Sequence, residues 1–331
     1  MDIVVGLQYG DEGKGKVINH LLKDSDYTHC VRFHGGPNAG HTFYVNEQKY
    51  TTHQIPTGIF YNLICIIGPG CVIDIKKLEK EITMLENNGI TDVRNRLKIA
   101  YNAHIISSKH IEDDIKNDKI GSTHSGIRPV YRDKYNRCGN RVIDVVNSDN
   151  ILCGCEIIDS FDMLHQNDIK VLFEGAQGFM LDIDWGNYPY VTSSHCLSTM
   201  ISTCGVSFRN INKVYGIAKI YNTYVGKMKF QDESVEALKK IQILGNEYGS
   251  TTGRKRQCNW LDLDELNRAI IINGVSDIII NKCDILVELG IYKLYHSKHL
   301  LEFKNIKEMQ QYINKHIINV NIIYSYSKFK I

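Results

Sequence analysis

The densest chemistry in this chain lies in Gly6-Leu7-Gln8-Tyr9-Gly10-Asp11-Glu12-Gly13-Lys14-Gly15-Lys16, after a short apolar run and before Val17. Gly10 to Lys16 fits the opening of the phosphate-loop pattern G-x-x-x-x-G-K. Glycines at 10, 13 and 15 let backbone N–H groups turn toward an anion, and a helix start beyond them adds partial positive charge. Lys14 and Lys16 can neutralise phosphate oxygens. The next residue is Val17, where a hydroxyl would reach Mg²⁺, and a carboxylate, Asp11, stands inside the loop. Phosphates repel a carboxylate unless it binds the metal or moves protons.

Three further segments carry groups of the same kind. Gly35-Gly36-Pro37-Asn38-Ala39-Gly40-His41-Thr42 offers backbone amides, the Asn38 amide and one imidazole. An imidazole ordinarily titrates near neutrality, so His41 is a candidate general acid toward a developing oxyanion, against the plainer reading of a loop histidine. Ser250-Thr251-Thr252-Gly253-Arg254-Lys255-Arg256 packs hydroxyls beside three cations. The planar forks of Arg254 and Arg256 suit a small dicarboxylate or a polyphosphate. Gly121-Ser122-Thr123 is a hydroxyl-rich turn of similar use. Asn281-Lys282-Cys283-Asp284 has the N-K-x-D form that reads guanine, whose N1–H and 2-amino group both donate to one carboxylate. A GTP-binding switch is the competing class. It would carry Ser or Thr at position 17 and would have no need for the cluster at 251–256.

These groups need a scaffold that ends strands at glycine turns. Asp2–Leu7, Cys30–Phe33, Cys65–Ile67, Val171–Phe173, Val214–Ile217 and Ile278–Ile280 read as short buried strands. Val17–Lys23 opens a helix. Asp74 is a plausible N-cap for a helix reaching Asn88, with Ile75, Leu78, Ile82 and Leu85 at helical spacing and Gly89 as its stop. Leu261–Asn273 and Asn305–Ile318 are helical by pattern. The alternation implies an α/β fold, a large mostly parallel central sheet flanked by helices, over 1–331 with no internal boundary. Ligands are then expected at strand ends.

Composition narrows the function. The 331 residues are 43% hydrophobic and 23% charged, the mix of a globular chain. Thirty-nine Lys+Arg against 37 Asp+Glu leave +2, which gives no global field for nucleic acid or anionic lipid. No apolar run approaches the ~18 residues of a membrane span, and the N-terminal segment lacks the pattern of a signal peptide. Ten cysteines without a C-x-x-C favour neither zinc nor disulfides, so a reducing cytoplasm is expected. Cys30, Cys65, Cys71 and Cys283 read as core filler.

Taken in order, G-L-Q-Y-G-D-E-G-K-G-K, G-G-P-N-A-G-H-T, F-E-G-A-Q-G with L-D-I-D-W-G-N-Y-P-Y-V-T-S-S, and T-T-G-R-K-R with W-L-D resemble adenylosuccinate synthetases, from Asp2 to about Asp284. That family joins L-aspartate to carbon 6 of a purine nucleotide with GTP and Mg²⁺. The resemblance implies that Asp11 takes the purine N1 proton and binds Mg²⁺ with the Gly40 carbonyl, while His41 and Lys14 serve the transferring phosphoryl group. It places Asn38, Ser122, Thr123, Gln177, Thr192 and Val225 around the purine nucleotide. Arg137 would reach a partner subunit's nucleotide, implying a homodimer. Ser250, Thr251, Thr252, Arg254 and Arg256 would hold aspartate. The donor would meet Gly10, Gly13, Lys14, Gly15, Lys16 and Thr42 with its phosphates, assisted by Arg256, and Lys282 and Asp284 with its base.

The chain also departs from the family. It is shorter than the usual cellular enzyme. Asn222-Thr223-Tyr224-Val225-Gly226-Lys227-Met228-Lys229-Phe230 lacks the arginine and Gly-Pro turn expected near the ribose, and His124-Ser125 stands where an arginine follows the hydroxyls. The tail Ile323–Lys328 lacks S-T-G-P. These changes resemble a shortened viral branch that condenses aspartate with dGMP, which would place the protein in a host cytoplasm. Loss of ribose-side contacts suits a deoxynucleotide, so dGMP is the expected purine, with IMP the alternative and GTP or ATP the donor.

Overall fold

The computed structural model describes residues 1–45, 48–146, 151–249 and 253–331. Ten strands among these form one sheet, with the N-terminal strand Asp2–Gly6 near its middle. On one side follow Lys213–Lys219, Asp277–Asn281 and Asn321–Tyr324. On the other lie Val171–Glu174, His29–Arg32, Ile64–Ile67, Leu97–Ala100, Cys155–Ile158 and Ile151–Leu152. Every neighbouring pair is parallel except the last. Parallel strands covered on both faces are apolar throughout, which is why Ile66, Ile67 and Ile278–Ile280 are all buried.

The chain runs outward from Asp2–Gly6 to one edge and then returns to insert Val171–Glu174 beside it. Six loops therefore leave the carboxyl ends of neighbouring strands on one rim, where an open α/β sheet places its ligands. They begin after Gly6, Arg32, Glu174, Lys219, Asn281 and Tyr324.

Local signals explain most helix ends. Asp74 accepts the Lys77 N–H at 3.1 Å, and the helix Ile75–Asn87 buries Leu78, Ile82 and Leu85. The helix Lys14–Leu22 starts three residues earlier than the apolar pattern indicates, because Gly13 at φ 92° supplies the left-handed turn that launches it. Leu261 and Asp262 are not helical: they end the strand Gln257–Asp262, and Leu261 pairs with Leu294. The helix is Leu263–Asn273, capped by the Asp262 side chain on Glu265 N–H at 3.0 Å. The sequence reading also passes over the hairpin His41–Val45/Gln48–Thr52 and the sheet formed by Tyr221–Tyr224, Gln257–Asp262, Tyr292–His296 and His299–Phe303. The first seats His41 and Thr42. The second carries Arg256 at its border.

All ten cysteines are free, and Cys30, Cys65, Cys71 and Cys283 are buried. Among the described residues, no helix is long and apolar enough to cross a membrane.

Candidate active site

The phosphate-type loop is folded around its own acid. Glu12, buried, accepts N–H groups from Gln8 at 3.2 Å and Gly10 at 2.9 Å, and the Lys14 ammonium at 2.6 Å. Lys14 also donates to the Gln177 carbonyl. Gly178 makes room for this arrangement, since a Cβ there would collide with Glu12 Oε1. Internal carboxylate, backbone N–H groups and lysine thus fix the shape of the loop. Asp11, at φ 59°, projects instead toward Arg256, whose Nε donates to Asp11 Oδ2 at 2.7 Å.

A cavity of about 750 Å³ opens beside this loop. Asp11, Lys14, Gly40 and His41 line it. Asn38, Ser122, Thr123, Gln177, Thr192 and Val225 also line it, so residues spread over almost two hundred positions converge on one space. Both polar atoms of the Gln177 amide, and Asn38 Oδ1, are buried without a hydrogen-bond partner in the protein. Buried polar groups in that state cost stability unless a ligand or water satisfies them. Arg254 reaches the cavity as well, and its Nη1 donates to the Gly121 carbonyl at 3.0 Å, which ties its segment to the Ser122–Thr123 turn. Ser250, Thr251 and Thr252 lie outside the described residues.

The donor-side candidates sit on the other flank of the loop. Lys16 donates to Ser325 Oγ at 2.7 Å and to the Ser327 carbonyl at 3.0 Å. Burial presses its pKa down to about 8, against the pull of nearby Asp284. Lys282 donates to the Gly245 carbonyl at 2.8 Å, and Asn281 Nδ2 donates to the Glu12 carbonyl at 2.8 Å, joining the N-K-x-D turn to the loop. Gly13, Gly15, Lys16, Thr42, Arg256, Lys282 and Asp284 do not line the large cavity, whereas Gly10 does. Arg137 is exposed on the turn after the helix Ile127–Tyr135 and is also outside it.

His41 departs from its sequence expectation. Burial, then Arg32, push its pKa down to about 4, although a bond to Glu174 opposes them. It is a neutral ring at physiological pH, not one poised near neutrality. In that state Nδ1–H donates to Glu174 Oε1 at 2.5 Å, and Nε2 faces Arg32 Nη1 at 3.3 Å. Glu174 is fully buried. Burial would raise its pKa, but Arg32 and His41 overcome this and hold it down at about 2. Arg32 Nη2 lies 2.8 Å from Glu174 Oε1.

Sequence reasoning missed Glu12, Arg32 and Glu174 as site residues, although F-E-G-A-Q-G contains the last. A charge at the end of an otherwise apolar strand was the available signal.

These groups set a stability profile. His34 is also buried, and burial drives its pKa down to about 3. Between the ordinary histidine pKa and these depressed values the unfolded chain binds more protons than the folded one. The contribution of these two rings is therefore full only above about pH 6.5 and is lost as the pH drops toward 4. Glu265, pushed up to about 7 by burial, offsets part of that loss between about pH 7 and 4.5, leaving a net loss of roughly a few kcal/mol. Glu174 adds a further loss from about pH 4.5 to 2, as its depressed pKa is crossed. Urea unfolding at pH 7.5, 6, 5 and 4 checks this; a flat midpoint would contradict it.

A parallel sheet with a glycine-rich loop, a buried carboxylate–imidazole pair and a large cavity on one rim has the architecture of an α/β enzyme. The adenylosuccinate synthetase family model matches residues 3–157 and 155–325. The adenylosuccinate synthetase of Thermodesulfovibrio yellowstonii is 42% identical over 339 residues, covering 88% of this chain and 79% of that one. The enzyme of that name from Fusobacterium nucleatum is 40% identical, with the same coverage. Among solved structures, fully ligated adenylosuccinate synthetase from Plasmodium falciparum superposes with a TM-score of 0.85 at 28% identity, covering 99% of this chain and 97% of that one. The succinoaminodeoxyadenylate synthetase of cyanophage S-2L, bound to dGMP and dATP, shares the fold with a TM-score of 0.79 at 24% identity, covering 99% and 93%. This chain belongs to the adenylosuccinate synthetase family and is a carbon–nitrogen ligase.

Proposed function

We propose that the protein condenses L-aspartate with carbon 6 of IMP, driven by GTP, to give adenylosuccinate, GDP and phosphate. The carrying observation is that Asp11, His41 and the unsatisfied amide of Gln177 face one cavity. Asp11 removes the purine N1 proton as O6 attacks the γ-phosphorus. The bond to the β–γ bridging oxygen breaks, and GDP leaves. The aspartate amine then displaces phosphate from carbon 6. In such a transfer the protein supplies positioning and charge neutralisation rather than a covalent nucleophile.

His41 is poised by neutral burial: a phosphoryl dianion brought to Nε2 raises the proton affinity of the ring, and Glu174 stabilises the cation that forms. Lys14, Lys16 and the glycines at 10, 13 and 15 receive donor phosphates, with Thr42 and Arg256 beside them, and Lys282 and Asp284 read the donor base. Asn38, Ser122, Thr123, Gln177, Thr192 and Val225 hold the purine nucleotide, and Ser250, Thr251, Thr252, Arg254 and Arg256 hold aspartate.

Mg²⁺ fits the residues present. Asp11 and Gly40 both line the cavity and offer hard oxygen donors, and an ion that keeps waters and phosphate oxygens needs few protein ligands. Among the described residues, no group of three or more His, Cys, Asp or Glu forms an all-protein cage. Mg²⁺ would be held by Asp11 and Gly40 and would neutralise charge on the phosphates.

IMP replaces dGMP as the leading substrate because the relatives at 40–42% identity carry the adenylosuccinate synthetase name over 88% of this chain. The dGMP reading, with ATP as a possible donor, keeps one support. The sugar-side wall is Tyr224 and Val225, with no arginine in that segment, and Tyr224 is buried against Tyr9 and Phe230. A substrate matrix decides: IMP, dIMP, GMP and dGMP against GTP and ATP, with aspartate and Mg²⁺, following phosphate and succinylated product. IMP with GTP is expected to give the highest kcat/KM. Turnover confined to dGMP would overturn that choice, and no product from any pair would end the ligase reading.

Two further expectations follow from the same site. Arg254→Leu should raise the aspartate KM by about ten- to a hundredfold, since a hydrogen bond to a charged group contributes ~1.5–3 kcal/mol. Its link to Gly121 predicts a smaller rise for the purine nucleotide. An unchanged aspartate KM would place the amino acid elsewhere. Arg137, exposed and outside its own cavity, reaches the nucleotide of a second copy in a homodimer. Mixing Arg137→Leu with Asp11→Asn should then restore part of the activity, whereas no recovery would contradict a shared site. Cytoplasmic location goes with these soluble substrates.

A further inference from the structure

Arg256 is not held by Asp11 alone. Its Nη1 donates to Glu247 Oε2 at 2.5 Å, and Glu247 has no exposed surface. The same carboxylate accepts the Lys219 ammonium at 2.9 Å and the Tyr221 hydroxyl at 2.6 Å, and the Lys282 ammonium lies 4.0 Å away. The Glu247 carbonyl accepts the Arg256 N–H at 3.0 Å, so backbone and side chain both fix this arginine. Lys219 is itself tied to the phosphate loop, because its N–H donates to Gln8 Oε1 at 2.8 Å.

One buried acid therefore gathers the end of the strand Lys213–Lys219, the border of the second sheet, the N-K-x-D turn and, through Arg256, the catalytic loop. Two carboxylates, Asp11 and Glu247, face three cations, Lys219, Arg256 and Lys282. When Asp11 turns away to the purine, one carboxylate remains for three cations, and a surplus of positive charge is left behind the loop. Without Glu247, Arg256 would have only Asp11 to pair with, and it would hold the base away from its proton.

We propose that Glu247 is a positioning residue for the reaction: it keeps Arg256 anchored when Asp11 leaves, so that Asp11 is released and Arg256 stays aimed at the amino acid and donor. This rests on the ligase reading above, and wild-type activity is the control for that reading. If wild-type protein forms no succinylated product, the ligase reading fails, and only with an active wild type do the variants test Glu247.

The test compares Glu247→Gln, Tyr221→Phe and the charge-balanced pair Lys219→Met/Glu247→Gln. Each is measured for kcat, for the separate KM values of aspartate and purine monophosphate, and for thermal midpoint. Glu247→Gln is expected to lower kcat about a hundredfold and to raise the aspartate KM about tenfold, leaving the purine KM within about twofold. The double variant removes equal and opposite buried charge, so it should fold and show the same split. Tyr221→Phe keeps every charge and should show the split weakly, roughly three- to tenfold in kcat. A loss of general packing would instead lower the thermal midpoint and the active fraction while leaving both KM values alone. The proposal is overturned if folded Glu247→Gln or the double variant matches wild type in kcat and aspartate KM. If neither folds, Tyr221→Phe decides: wild-type constants overturn the proposal, and the split supports it.

Discussion

Asp11→Asn is expected to lower kcat by about 10³-fold or more while purine-nucleotide binding survives. Positioned general bases contribute ~10²–10⁴, and this residue is also proposed as a metal ligand. The substitution is nearly isosteric. Asp11 sits at φ 59°, a conformation asparagine tolerates well, so the loop keeps its shape. An amide oxygen still accepts from Arg256, which now donates to Asp11 Oδ2 at 2.7 Å. The loop's internal support by Glu12 and Lys14 is untouched. What disappears is the negative charge and the basic lone pair. Steady-state turnover paired with calorimetric titration of the monophosphate separates the two effects. A kcat within tenfold of wild type would remove Asp11 from the chemistry, and lost binding would make it a structural residue.

The second large effect is expected from Glu174→Gln, in both stability and turnover. Glu174 is fully buried, pairs as an ion with Arg32 Nη2 at 2.8 Å, and accepts from His41 Nδ1 at 2.5 Å, the Thr57 N–H at 2.7 Å, the Thr57 hydroxyl at 3.1 Å and the Cys30 thiol at 3.5 Å. Four donors converge on one acceptor-only group. An amide must turn its NH₂ toward some of them, and Arg32 is left charged and buried without a counter-ion. Breaking such a pair costs roughly 3–5 kcal/mol. The catalytic loss has a separate origin. Without the carboxylate, His41 loses both its fixed tautomer and the anion that would stabilise its cation, so kcat should fall by about 10²–10⁴ even in the folded fraction. Urea unfolding gives the first quantity. Turnover at a temperature where the variant is fully folded gives the second. A stable and active Glu174→Gln would show that His41 needs no orientation from behind.

These two residues also show which parts of the site the sequence can reveal. Asp11 is legible because its meaning is local: a carboxylate among glycines and lysines after a strand already implies metal or proton chemistry. Asn38, Thr123, Gln177, Thr192 and Arg254 follow from segment motifs, and the parallel sheet brings them to one cavity. Glu174 and Arg32 are cross-strand partners in the register of two parallel strands separated by more than a hundred residues of chain. No spacing rule reports that pairing, and both sit in runs that otherwise read as apolar core. Glu247 is hidden for the same reason, since its partners are Lys219 and Tyr221 on two different strands and Arg256 just ahead of a third. His41 was found, but its neutral state was not, because desolvation depends on everything packed around it. In the helix assigned to Leu261–Asn273, hydrophobic spacing alone could not separate the last residues of a buried strand from the first turn. Pairing with Leu294 and the Asp262 cap draw that boundary.

In the proposed reaction the purine oxygen is phosphorylated before the amine replaces it. Carrying out one complete turnover with IMP labelled with oxygen-18 at O6, GTP, aspartate and Mg²⁺, and weighing the released phosphate by mass spectrometry, tests this directly. The account predicts one heavy oxygen in every phosphate formed along with adenylosuccinate. Unlabelled phosphate accompanying the same product would mean that the triphosphate was cleaved by water and that O6 departed by another route, and the mechanism built on Asp11 would have to be abandoned.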